Sequence, residues 1–185
     1  TYGFNVTSIS GGEPFIYPGL EELLSGSHAL GYKNMCASNA LLFKSSKGQR
    51  CLPHIDLLAI SVDGDEALHD EIRNRPGAFA KMQEGVAIAK AQGRLFGFIH
   101  TITEKSWDKL LWLADFAFQN GAQLLQLHPL ELTGRAALQY QHLLPTQETL
   151  PRVFISSAYL RQIYEGLMHI HMDFYHRNTV LENPA

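Results

Sequence analysis

Strand-like and helix-like patterns alternate along this chain of 185 residues, and the alternation limits the possible folds more than any other feature. Short apolar or β-branched runs are separated by stretches with helical spacing, which is the pattern of a parallel sheet built from β–α units. The run Asp56–Val62 is predominantly apolar, as in a strand buried on both faces. The six predicted strands are Asn5–Ser10, Lys33–Ser38, Asp56–Val62, Leu95–Thr103, Gln123–His128 and Met168–Tyr175.

Helical patterns fill the segments between the predicted strands. Pro18 can open the first helix, and Gly93 can end a helix over Phe79–Gln92. Ser106 can cap the helix that follows the fourth strand, and the last helix is expected around Ala158–Leu167.

The composition favours one globular domain over residues 1–185, since hydrophobic residues make up 45% and charged residues 18%. The net charge of -3 gives no support for a nucleic-acid partner, and no apolar run is long enough for a membrane helix. Cys36 and Cys51 are too few for a disulfide framework. We therefore expect a cytoplasmic protein with no nucleic-acid or membrane partner.

The first predicted strand ends in two glycines, a glutamate and a proline. Gly11 and Gly12 leave backbone polar groups bare, so a ligand can approach closely. Glu13 adds a carboxylate suited to an ammonium group, and Pro14 stiffens the turn. Taken alone, this stretch equally suits a strand-to-helix turn whose acid faces water.

Polar residues follow other predicted strands, and the carboxyl ends of parallel strands meet at one edge of a sheet, where ligands bind. We therefore expect one shared cleft at this edge, with the side chains of Glu13, Ser38 and Ser61 pointing into it. The strand-end residues are Gly11, Gly12, Glu13, Ser38, Asn39, Ser61, Asp63, the segment Thr101–Thr103 and His128.

Four motifs occur in a fixed order, and in this order they resemble the radical S-adenosylmethionine enzymes. The resemblance runs from about Val6 to Ala136 and implies an α/β fold, a partial TIM-type (βα)6 open barrel of parallel strands. The motifs are Ser10-Gly11-Gly12-Glu13-Pro14, Ser61-Val62-Asp63-Gly64, His69-Asp70-Glu71-Ile72-Arg73 and Gly77-Ala78-Phe79.

The resemblance also implies how the cofactor is held. In the family, the Gly-Gly-Glu-Pro strand end holds the amino group of S-adenosylmethionine, which points to Gly11, Gly12, Glu13 and Pro14. Ser61 offers a hydroxyl for the ribose or the carboxylate of the cofactor.

Further residues follow from the same resemblance. Ser38 and Asn39 stand where the family often shows Thr-Asn-Gly, and Gly97 would let the adenine approach the fourth strand. Asp63 either accepts from a cofactor hydroxyl or caps the next helix. Arg73 either makes two hydrogen bonds to the cofactor carboxylate or forms an ion pair with an acid at the start of its own helix.

One departure from the family is serious. The family's CxxxCxxC loop, whose thiolates hold a [4Fe-4S] cluster, is absent, because Cys36 and Cys51 lie fifteen residues apart. We expect the first βα unit to lie upstream of Thr1, which leaves the edge at Asn5–Ser10 exposed or covered by a second copy. As given, the chain is expected to be inactive, with no metal ligands of its own.

The resemblance implies radical chemistry in the parent enzyme. In the family, a reduced cluster, supplied with one electron by a redox partner, cleaves S-adenosylmethionine, and the 5′-deoxyadenosyl radical abstracts hydrogen from the substrate. The substrate is expected to be a peptide, a protein or a small molecule, as in protein modification, activase-type reactions or cofactor biosynthesis. The alternatives are a degenerate barrel that binds S-adenosylmethionine without catalysis, and an unrelated TIM-barrel lyase or isomerase.

The last predicted strand places polar side chains on one face. His169, His171 and Asp173 alternate with apolar residues, so they could bind a metal ion or handle protons. The preferred interpretation is a polar barrel lining of hydrogen-bonded histidines. The sequence assigns no role to His128, Arg135, His169 or His171, and no catalytic residue.

Overall fold

The computed structural model describes residues 3–173, whose strands form a six-stranded sheet. Neighbouring strands are parallel and follow the chain order from the first to the last. The predicted α/β fold with six parallel strands is confirmed, and only Pro129 extends a strand beyond its predicted range. Phe174 and Tyr175 of the last predicted strand lie outside the described residues. The strands are β1 Val6–Ile9, β2 Lys33–Ser38, β3 Leu57–Ser61, β4 Phe96–Ile102, β5 Leu124–Pro129 and β6 His169–Met172.

Helices follow the strands, and none in the described part of the chain is long and apolar enough to cross a membrane. The last helix begins at Thr149, well before the predicted Ala158. Pro151 lies in its first turn, where a missing N–H costs no hydrogen bond, so the proline does not mark a break. The helices are α1 Leu20–Ala29, α2 Ser46–Cys51, α3 Glu66–Ile72, α4 Ala78–Ala91, α5 Leu110–Gln119, α6 Arg135–Gln139 and α7 Thr149–Ile163, with 3-10 turns at Pro14–Ile16, Leu52–His54, Trp107–Lys109 and Gln141–Leu143.

The helices cover one face of the sheet. Successive strand residues point to opposite faces, and one set, including Leu58, Ile60 and Phe98, is fully buried against helix residues such as Leu24 and Met82. We call this the covered face. The strand register places the alternating residues on the other side, which we call the open face. These are Ser8, Ala37, Ala59, Ser61, Ile99, Thr101, Gln126, His128 and His171.

Strand β1 forms one edge of the sheet. It pairs with β2, and Val6 is 48% exposed, while Ile9 packs against the core. The predicted exposed edge at Asn5–Ser10 is therefore confirmed for the first half of the strand, whereas Ile9 finds partners within the chain.

Gly97 lets β4 and β5 approach closely. A Cβ atom at this position would lie 2.5 Å from the carbonyl oxygen of Leu124 and 2.7 Å from its Cβ atom. We expect Gly97→Ala to lower the free energy of unfolding by about 1–3 kcal/mol, because the backbone of β5 must shift. Chemical denaturation measures this change.

Gly26→Ala is the matched control for this substitution. Gly26 lies in α1 with nothing within 4 Å of the added Cβ atom, so alanine should stabilise the helix by up to about 1 kcal/mol. Equal stability of Gly97→Ala and the parent protein would show that the strands can relax around the extra methyl group.

Candidate functional site

The loop after β1 exposes its backbone. Gly11 adopts φ 123°, a conformation that residues with a side chain rarely adopt. No other atom lies within 4 Å of a Cβ atom built on Gly11 or on Gly12. A ligand can therefore reach these peptide groups from outside.

Glu13 is held at the ends of two strands. Its Oε1 atom accepts hydrogen bonds from the Ser38 hydroxyl (2.8 Å) and the Phe15 amide (3.2 Å), and its Oε2 atom accepts from the Asn39 amide (2.9 Å). The side chain is half-buried, and it caps the turn that begins at Pro14. Since each carboxylate oxygen accepts about two hydrogen bonds, Oε2 keeps capacity for one further donor.

Ser38 and Asn39 organise the turn around Glu13. The Ser38 hydroxyl is buried and accepts from the Ala40 amide at 3.1 Å, and the Asn39 side chain accepts from the Leu41 amide at 3.0 Å. Both residues thus fix the Glu13 carboxylate and the backbone beside it.

The expectation of one shared cleft for Glu13, Ser38 and Ser61 is wrong in one respect. The register pairs Ser38 with Ile60, which is buried in the core, and Ser61 with Ile99 on the open face. Because strand side chains alternate, Ser38 and Ser61 leave opposite faces of the sheet.

Asp63 and Arg73 form a bidentate ion pair after β3. The Nε atom of Arg73 lies 2.6 Å from Oδ2 of Asp63, and its Nη2 atom lies 3.2 Å from Oδ1. Arg73 therefore does not pair with the acids of its own helix, and Asp63 does not cap that helix. Asp65 is the cap, accepting from the Leu68 amide at 3.2 Å.

Two residues of the motif after β3 support the neighbouring backbone. Asp70 accepts from the Gly77 and Phe79 amides at the start of α4, at 2.5 Å and 2.8 Å, and so helps to start that helix. His69 is buried, with Nδ1 at 3.2 Å from the Asp63 amide and 3.3 Å from its Oδ2 atom. Burial lowers the pKa of His69, so its ring is neutral and Nδ1 accepts from the amide.

His100 connects the ends of β3 and β4. Its Nδ1 atom lies 2.8 Å from the Val62 carbonyl oxygen, which can only accept, and its Nε2 atom lies 3.1 Å from the Ser106 hydroxyl. Burial lowers the pKa of His100, which keeps the ring neutral. Ser106 accepts from the Thr103 amide and makes no side-chain cap, so the predicted capping role is wrong.

A second polar group lies on the open face at the ends of β5 and β6. Oδ2 of Asp173 accepts a hydrogen bond from Gln126 Nε2 at 3.1 Å and lies 2.6 Å from His128 Nδ1. Oδ1 of Asp173 is hydrogen-bonded to His171 Nε2 at 2.6 Å. The rings of His169 and His171 are stacked, with centroids 6.1 Å apart. The predicted lining of hydrogen-bonded histidines is confirmed for His171.

Two adjoining cavities lie at this edge of the sheet. One, of about 790 Å³, is lined by Asp63, Arg73 and Thr103, and the other, of about 440 Å³, is lined by His128 and Asp173. They share the lining residues Thr101, Leu130, Thr133 and Ala136. The carboxyl ends of β3 to β6 therefore border a continuous cleft.

The cysteines of this chain do not suit a cluster. Cys36 lies on the covered face, and burial, with Glu13 nearby, raises its thiol pKa to about 12. Burial also raises the pKa of Cys51, and both residues are free thiols. Iron–sulfur clusters bind thiolates, which these buried thiols do not readily become.

The chain is similar in sequence to several known proteins. No family profile matches the chain. An AdoMet-dependent heme synthase from Methanosarcina barkeri is 25% identical over 135 residues, which cover 72% of this chain and 39% of that protein. A pre-heme d1 synthase from Dinoroseobacter shibae is 30% identical over 128 residues, which cover 69% of this chain and 32% of that protein. The chain thus spans about a third to two fifths of the length of these relatives.

A solved structure shares the fold. SuiB from Streptococcus suis, bound to S-adenosylmethionine, has a TM-score of 0.71 at 22% identity, covering 92% of this chain and 40% of that one. The resemblance to radical S-adenosylmethionine enzymes predicted from the motifs is confirmed.

The buried neutral histidines predict that the protein loses stability in acid. The ordinary histidine pKa is 6.5, and burial lowers the pKa of His69 and His100 in the folded chain. The unfolded chain then binds protons more tightly than the folded chain does. The free energy of unfolding therefore has its full value above about pH 6.5 and declines as the pH falls through the pKa values of the two histidines in the folded chain. Denaturation between about pH 8 and pH 5 measures this decline.

Two variants test whether His100 causes this pH dependence of stability. His100→Gln removes a buried titrating ring, so the decline should become shallower, whereas His142→Gln, at an exposed position, should leave it unchanged. A decline in His100→Gln as steep as in the parent would contradict the assignment to His100.

Proposed function

We propose that this chain is the S-adenosylmethionine-binding core of a radical S-adenosylmethionine enzyme. The observation that carries the proposal is the Glu13 carboxylate, fixed by three hydrogen bonds beside the bare peptide groups of Gly11 and Gly12. An immobile carboxylate with one unused acceptor position suits the ammonium group of the cofactor's methionine.

The residues predicted for the site then divide into two groups. Gly11, Gly12, Glu13, Ser61 and Arg73 are proposed to contact the cofactor. Ser61 stands on the open face, two strands from the end of β1, a separation of roughly 10 Å that a nucleoside joined to an amino acid can bridge.

The second group supports the first. Ser38 and Asn39 orient the Glu13 carboxylate, and Pro14 starts the turn that Glu13 caps. Asp63 orients the Arg73 guanidinium, which keeps N–H groups on Nη1 for a cofactor carboxylate.

The catalytic activity of the whole protein belongs to this proposal as well. A [4Fe-4S] cluster held elsewhere in the whole protein would supply one-electron reduction of S-adenosylmethionine, with a one-electron donor as its redox partner. Cys36 and Cys51 do not fit such a cluster, so this chain's own residues are assigned cofactor binding alone.

The names of two relatives support a substrate class. The relatives at 25% and 30% identity described above are named as a heme synthase and a pre-heme d1 synthase, so cofactor biosynthesis in the cytoplasm is the reaction type we propose ahead of peptide modification. A barrel that binds S-adenosylmethionine without catalysis is the second candidate, because the thiols of this chain do not suit a cluster.

Glu13→Ala should weaken S-adenosylmethionine binding. Loss of one charged hydrogen bond costs about 1.5–3 kcal/mol, which raises Kd roughly 10- to 150-fold. Calorimetric titration of the cofactor into the parent protein and the variant measures this change.

Two further variants control for charge and for folding. Glu13→Gln keeps the size of the side chain but removes its charge, so it should also weaken binding. Glu22→Ala removes an exposed acid of α1 and should leave Kd unchanged. Unchanged affinity in Glu13→Ala, with circular dichroism and thermal unfolding intact, would remove Glu13 from the site.

This chain should not assemble a stoichiometric cluster. Incubation with iron, sulfide and a thiol reductant without oxygen should leave no charge-transfer absorption in the visible spectrum, because both thiols are buried. The variant Cys36→Ser should give the same spectrum as the parent. A stable [4Fe-4S] signal that disappears in Cys36→Ser would contradict the prediction.

A further inference from the structure

Asp173 fixes the protonation pattern of two histidines. Nδ1 of His128 lies 2.6 Å from Oδ2 of Asp173, and Nε2 of His171 lies 2.6 Å from Oδ1. Because a carboxylate oxygen can only accept, we assign a proton to each of these ring nitrogens. Asp173 itself is 9% exposed and receives Gln126 as well, so its position is defined on both oxygens. In its neutral form, a His128 ring with the proton on Nδ1 carries its lone pair on Nε2.

His128 differs from the histidines that support the fold. His100 is fully buried and uses both ring nitrogens in hydrogen bonds. The side chain of His128 is 33% exposed and lines the cavity of about 440 Å³, and Nε2 has no hydrogen-bond partner among residues 3–134 and 136–173. A purely structural histidine has no need of a free basic nitrogen in a cavity.

We propose that His128 is a proton acceptor for a ligand bound in this cavity, and that Asp173 is its positioning residue. The ligand class is an uncharged group with a weakly acidic O–H or S–H bond. The ligand's proton moves to Nε2, the electron pair of that bond remains on oxygen or sulfur, and the imidazolium formed is stabilised by the Asp173 carboxylate.

The position of the cavity connects this step with the cofactor site. Thr101 and Thr133 line both this cavity and the one that contains Arg73. The inference rests on the proposed function in that the ligand would be the substrate, lying beside the cofactor. Because no group of three or more histidine, cysteine, aspartate or glutamate side chains within residues 3–173 is arranged so that it could hold a metal ion, a proton acceptor is preferred to a metal site.

The first test is the tautomer of His128 in the folded protein. Nuclear magnetic resonance of protein labelled with ¹⁵N-histidine should show a protonated Nδ1 and a bare Nε2. Asp173→Ala should move the proton to Nε2, whereas Glu131→Gln, which alters another acid of the same cavity, should leave the His128 signals unchanged. A bare Nδ1 in the parent protein would overturn the proposal, even if the Asp173 variant failed to fold.

The second test is the reactivity of Nε2. Diethyl pyrocarbonate should modify His128 several-fold faster than the exposed His142, as followed by mass spectrometry of peptides. Asp173→Asn should remove this advantage without changing the rate at His142. Equal rates at His128 and His142 in the parent protein would overturn the proposal.

The two tests of His128 do not depend on whether the protein binds S-adenosylmethionine. Calorimetric titration of S-adenosylmethionine into Asp173→Asn should give the parent Kd, since Asp173 lies at the far edge of the sheet from Glu13. If the parent protein fails to bind S-adenosylmethionine while His128 is reactive, the proposed function fails and the proton acceptor stands. If the parent binds S-adenosylmethionine while His128 is unreactive, the proton acceptor fails alone.

Discussion

The parallel, consecutive order of six strands is the constraint on which the rest of the structure depends. It brings all carboxyl ends to one edge, and the alternation of side chains then gives every strand a covered and an open face. On the covered face, volume decides what is tolerated, as the buried Ile60 and Phe98 show. On the open face, polar groups such as Ser61 and His128 can contact a ligand. Two consecutive residues of a strand therefore have different roles, one in the core and one at the ligand site.

The fold was predictable because it follows from local patterns. β2 was predicted with the bounds that the structure has, Lys33–Ser38, around the consecutive apolar residues Met35, Cys36 and Ala37. The start of α7 was not predictable in the same way. Pro151 is normally a helix breaker, and only its place in the first turn removes that effect.

The site was predictable in its location but less so in its contacts. Glu13 and its glycines carry a local signal, whereas the Asp63–Arg73 pair joins residues from a loop and a helix end. Ser106 was assigned to a helix cap because its pattern fits one, yet the buried ring of His100 binds its hydroxyl. Such pairings depend on how loops lie in space, which periodicity does not encode. A histidine inside an apolar strand was the signal that could have indicated His100.

The edge at β1 can accept a further strand. An edge strand offers a row of backbone donors and acceptors to any other extended segment, and Val6 adds an exposed apolar side chain to that row. Lysine and proline, which usually discourage such pairing, are missing from Val6–Ile9. Any extended segment that pairs with these four residues would therefore continue the sheet beyond β1.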